Sequence, residues 1–80
     1  MTGRRLPDGM HYLDGAPGDY WHDPGEGWAC IAPNGDGGNL SSHTVVEHAD
    51  RTITVAPSIL ITGGGNEWHG FLQRGVWRHV

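Results

Sequence analysis

Ser58 and His69 are the residues whose types and spacing best fit chemistry. Ser58 stands between Pro57 and Ile59 in the β-branched run Thr52-Ile53-Thr54-Val55-Ala56-Pro57-Ser58-Ile59-Leu60-Ile61. His69 follows in Glu67-Trp68-His69-Gly70, after the glycine triplet Gly63-Gly64-Gly65. A serine becomes a nucleophile when a base lies within about 2.6–3.2 Å and a third group orients that base. If Ile61 and Asn66 bracket a glycine turn, antiparallel pairing sets Ser58 directly opposite His69. Directly opposed residues have Cβ atoms about 4.5–5.5 Å apart on one face. A one-residue slip would separate them. A polar pair on the wet face of a small sheet has the same signature in the sequence.

A third member is available on the preceding segment. His43, Glu47 and His48 lie in His43-Thr44-Val45-Val46-Glu47-His48. Pairing about Ala49-Asp50 would place Glu47 opposite Thr52 and His43 opposite Ala56, so that His43 falls beside Ser58. Backbone N–H groups in the glycine turns would then be available to an oxyanion.

Metal chemistry has a weaker signature. Cys30, His43, His48 and His69 are ligand types that zinc accepts. No closely paired motif joins them, and on a regular strand His43 and His48 face opposite sides. Cys30, among apolar neighbours, reads as a small buried hydrophobe. The glycine triplet matches no phosphate-binding fingerprint and reads as a turn. Trp68, Phe71 and Trp77 at strand spacing read as core.

The elements that must position these residues are all strands. The chain has 80 residues, enough for one domain and a modest core. Fourteen glycines and five prolines favour turns over helices. Strands are expected at residues 28–32, 43–48, 51–62, 67–73 and 76–80. Along the third of these, Ile53, Val55, Pro57, Ile59 and Ile61 share an apolar face. Pro57 lacks an N–H and marks an edge or a bulge there, either of which would unsettle the face assigned to Ser58. Pro33-Asn34-Gly35-Asp36-Gly37-Gly38 reads as a mobile loop. Residues 1–27 show no sustained period; Tyr12, Tyr20 and Trp21 would pin this coil-rich arm onto a β core at 28–80. The expected fold is a single all-β domain: a small antiparallel meander of about four or five strands, as an open barrel or compact sandwich, with a coil-rich N-terminal third.

The formal charge of −4 disfavours nucleic acid and anionic membranes as partners. A single cysteine excludes an internal disulfide and fits a reducing compartment. Met1 to Met10 carries two arginines but no apolar signal region behind them. A cytoplasmic protein without cofactor is expected, its oligomeric state open.

The segments HTVVEH, TITVAPSIL, EWHGFLQRGVW and the upstream APNG, within residues 28–78, resemble a family of small uncharacterised proteins encoded by actinobacterial phages. That family is similar to a domain found beside bacterial ubiquitin-like conjugation enzymes and proposed to be a serine peptidase. The Pro57-Ser58-Ile59 and Trp68-His69-Gly70 triplets carry most of the likeness. The resemblance implies Ser58 as nucleophile, His69 as base and either His43 or Glu47 as third member. It also implies a protein substrate, the tail of a ubiquitin-like or other small protein, and a role against host defence. Members of the wider family place cysteines near these histidines. This chain has only Cys30, which weakens a metal-stabilised version of the fold. Two other readings stand beside the hydrolase: a non-catalytic phage protein that binds a host partner through a tryptophan-bearing surface, and a small metal-stabilised β domain.

Overall fold

The computed structural model describes residues 1–62 and 67–80, and it is all-β. Eight short strands form two four-stranded sheets. The first sheet has the order β1 (Arg4–Arg5), β2 (Asp19–Asp23), β3 (Gly27–Ile31), β4 (Gly37–Asn39). The second has the order β5 (Thr44–Glu47), β6 (Ile53–Ile61), β7 (Trp68–Gln73), β8 (Val76–His79).

The C-terminal strands lie where alternation places them. In β7, Trp68, Gly70 and Leu72 are buried while His69, Phe71 and Gln73 are exposed. Arg74 and Gly75 join β7 to β8 with φ of 46° and 77°. Two positive values suit the tight turn that matches strand twist, and glycine carries one of them without strain.

The N-terminal third holds more structure than its turn-rich composition suggests. β2 and β3 form an antiparallel hairpin, and β1 runs parallel to β2. The hairpin turn is held by Asp23 Oδ1, which accepts the N–H of Gly25 at 2.7 Å and of Glu26 at 3.2 Å. The expected mobile loop after Ala32 is a short reversal. Ala32 N–H donates to Asp36 C=O, Gly35 N–H donates to Ala32 C=O, and β4 pairs with β3 beyond it. A glycine-rich strand carries no side-chain period, so β4 left no signal.

Burial explains why the arm folds back. The main core combines Tyr20, Cys30, Ala32 and Leu40 from the first half with Ile53, Val55, Ile59, Ile61, Trp68, Leu72 and Trp77 from the second. Trp21, Ala29 and Ile31 point to the opposite side of the first sheet and pack with Leu6, Met10 and Tyr12. The first sheet thus buries both faces, as the unbroken apolar run Ala29-Cys30-Ile31-Ala32 requires. Tyr12 meets Trp21 edge-on at 5.2 Å between ring centroids, a geometry worth about 0.5–1.5 kcal/mol beyond area burial.

The first residues also join the sheets. Thr2 bridges Val76, and Gly3 N–H donates to Gly75 C=O at 2.7 Å. Two residues later the same segment pairs with β2. Arg5 reinforces this seam: its guanidinium bonds Glu47 Oε2 at 2.7 Å and the Arg51 carbonyl at 3.0 Å, and lies 4.6 Å over the Trp28 ring.

Candidate active site

β6 and β7 carry the candidate pair. Their register changes midway. Val55 faces Leu72, then Ile59 faces Gly70, Leu60 faces His69 and Ile61 faces Trp68. β6 advances from 55 to 59 while β7 moves only from 72 to 70, so β6 holds two extra residues. Pro57 sits inside this bulge and is exposed rather than on the apolar face. Its missing N–H cannot serve the ladder, which favours the irregularity there. An insertion of two residues preserves alternation. Ser58 therefore stays on the face of Ala56 and Leu60, and the buried phase of Ile59 and Ile61 is kept.

Ser58 and His69 are consequently not directly opposed. The residue facing His69 is Leu60, and Ser58 lies on the diagonal. Their side chains still meet: Ser58 Oγ is 3.0 Å from His69 Nε2. In the arrangement that activates serine, the hydroxyl donates to Nε2 and Nδ1 carries the ring proton. The pair is on the solvent-facing side of the second sheet, with Leu60 at 55% exposure and Phe71 at 38% beside it. No enclosed pocket is formed among the described residues.

The two remaining candidates are placed differently from each other. β5 and β6 pair with Thr44 opposite Ala56 and Glu47 opposite Ile53, one residue from the expected register. His43, just ahead of β5, bonds through Nε2 to the main-chain carbonyl of Ser58 at 3.1 Å. It holds the backbone of the serine, not the ring of His69. Glu47 is opposite Ile53, five residues along β6 from Ser58, roughly 16 Å at the usual strand rise. Its carboxylate is committed to Arg5. Neither residue orients His69, and among the described residues no side chain bonds His69 Nδ1. The glycine turn expected to supply oxyanion donors lies outside the described residues.

The possible metal ligands are dispersed. His48 bonds the Thr54 hydroxyl at 2.7 Å, His43 is on Ser58 C=O, and Cys30 is sealed in the core. Among the described residues no three His, Cys, Asp or Glu side chains gather to hold an ion. Burial pushes the Cys30 thiol up to about 12, only partly opposed by its backbone hydrogen bond with Gly38. That thiol is therefore not a reactive nucleophile near neutral pH.

The tryptophans do not form a surface. Trp21, Trp68 and Trp77 are buried and Trp28 is half-buried beneath Arg5. Phe71, expected in the core with Trp68 and Trp77, is instead exposed on the outer face beside Leu60, because it is out of phase with the buried Trp68, Gly70 and Leu72. Among the described residues no helix is long and apolar enough to cross a membrane. Comparison with protein-family models, curated proteins and solved structures finds no match to this chain.

Proposed function

We propose that the protein is a serine hydrolase in which Ser58 is the nucleophile and His69 the base. The observation that carries this reading is the 3.0 Å contact between Ser58 Oγ and His69 Nε2. That distance is within the reach of about 2.6–3.2 Å that proton transfer needs. Ser58 Oγ adds to a carbonyl carbon as its proton passes to Nε2. His69 returns the proton to the leaving group as the carbon–heteroatom bond breaks, leaving an acyl-enzyme. Water, deprotonated by His69, then releases the acid and restores Ser58.

The finer reading names the substrate. An open sheet surface, with no pocket among the described residues, suits a carbonyl carried on a macromolecule better than a small molecule that needs enclosure. Together with the resemblance described above, this favours peptidase action on the tail of a ubiquitin-like or other small protein in the host cytoplasm, as a phage counter-defence. Without a carboxylate on His69, the pair works as a dyad, and turnover is slow relative to a full triad.

A fluorophosphonate probe tests the chemistry. Wild-type protein is labelled and Ser58→Ala is not. Unlabelled wild type under conditions that label a control hydrolase would sink the hydrolase reading. A second reading then takes its place: a non-catalytic binder of a host protein. It is favoured by the exposed Val46, Leu60 and Phe71 on the outer side of the second sheet.

A further inference from the structure

The second sheet ends unevenly beside Ser58. β5 accompanies β6 only as far as Thr44 opposite Ala56. Past that point, among the described residues, no strand pairs with the β5 side of Ser58–Ile61. β4 is nearby, since a Cβ at Gly38 would lie 2.8 Å from Ile61 Cδ1, but it is not hydrogen-bonded to β6.

The direction of the main-chain groups on this edge follows from two independent contacts. Val80 N–H donates to the His69 carbonyl, so the main chain of His69 points toward β8. His69 faces Leu60, and in an antiparallel ladder such a pair points away from the shared strand boundary on both sides. The N–H and C=O of Leu60 therefore point away from β7, into the space where β5 has ended. The bond from His43 Nε2 to the Ser58 carbonyl places that carbonyl on the same side. The edge thus presents a donor and an acceptor from one residue, closed at one end by the His43 imidazole.

We infer that the edge of β6 at Leu60 binds an extended peptide as an added antiparallel strand. A peptide main chain supplies an acceptor and a donor at the spacing Leu60 demands. A lipid or a sugar ester lacks that alternation. The added strand continues the line of β5, so it runs antiparallel to β6 and its C-terminal end abuts His43. The outward side chains along this edge, Ala56, Ser58 and Leu60, carry no charge. The peptide that fits is accordingly uncharged over the residues paired here, with one apolar side chain against the exposed Leu60. Docking on this edge does not rest on the hydrolase reading.

The test uses an acetylated, amidated valine–threonine pentapeptide with the full-length Ser58→Ala protein, followed by amide NMR and hydrogen exchange. The expected result is a shift of the Leu60 amide and at least a tenfold slowing of its exchange at saturation. N-methylation of the peptide amide that donates to Leu60 C=O weakens binding at least tenfold. Leu60→Pro, which deletes the N–H at an exposed position, does the same while the Trp77 environment is unchanged. Shifts confined to the outer edges of β4 or β5, or equal binding of the methylated peptide, overturn the proposal. If the peptide docks at Leu60 but the wild-type protein resists fluorophosphonate, the edge stands and the hydrolase reading fails.

Discussion

Leu60, not Ser58, is the residue that faces His69 across β6 and β7, yet the ring of His69 meets the hydroxyl of Ser58 at 3.0 Å. The two-residue bulge around Pro57 creates this diagonal. It keeps Ser58 in phase with Leu60 and brings it within reach of a ring one step displaced. His69→Ala should lower fluorophosphonate labelling by at least about 100-fold, the low end of what a positioned base contributes. Measured labelling rates within threefold of wild type would remove His69 from the mechanism.

His43 and Glu47 should separate cleanly from His69. His43→Ala frees the Ser58 carbonyl and should slow labelling by about tenfold or less, through loss of positioning. Glu47→Gln should leave labelling unchanged, since its carboxylate bonds Arg5. Its cost belongs to stability: about 0.5–1 kcal/mol in a urea titration, as expected for a partly exposed ion pair. A large loss of labelling in Glu47→Gln with intact stability would restore it as the third member.

Gly70 is the steric keystone next to His69. A Cβ there would collide with the Arg78 carbonyl and the Trp68 indole. Backbone cannot yield as a flexible side chain can, so Gly70→Ala should cost about 3 kcal/mol or more, in the range of severe core overpacking. Thermal unfolding followed by tryptophan fluorescence measures this. A melting temperature within two or three degrees of wild type, a shift of well under about 1 kcal/mol for a chain of this size, would contradict it.

The buried Cys30 gives the protein an alkaline limit. Its thiol ionises near its ordinary value of 9.0 when unfolded and near about 12 when folded. Its contribution to stability is complete below pH 9 and is lost as pH rises toward 12, because the unfolded chain ionises first. The slope approaches about 1.4 kcal/mol per pH unit within that window. Burial also raises the Tyr20 hydroxyl above its ordinary value. The difference between wild type and Cys30→Ala isolates the thiol: it should shrink as pH climbs through this window. A difference that stays constant from pH 8 to 11 would refute the shift.

Strands with a clear two-residue period were legible from the residues alone. Ile53, Val55, Ile59 and Ile61 mark β6, and Trp68, Gly70 and Leu72 mark β7, because one face of each meets the core. β1, β2 and β4 were not legible. β2 buries Tyr20 and Trp21 on opposite sides, so it has no alternation, and β4 is Gly37-Gly38-Asn39. The Ser58–His69 contact was foreseen, but through a register that β6 keeps only near Val55. Bulge size depends on how Pro57 is accommodated in three dimensions, which local sequence does not encode. The roles of His43 and Glu47 were hidden for a related reason. A register displaced by one residue, and an arginine far away in the chain, decide what each of them touches.

The seam formed by Thr2 and Gly3 with Gly75 and Val76 has a kinetic consequence. It joins segments that are far apart in the chain. Loop closure on that scale comes late, since its entropy must be met before its contacts reward it. The first sheet and the Arg5–Glu47 contact can form earlier, but Thr2 and Gly3 have no partner until the β7–β8 turn and β8 have left the exit tunnel. Until the Met1–Gly3 segment docks there, the outer edge of an emerged β8 stays open to pairing with another chain.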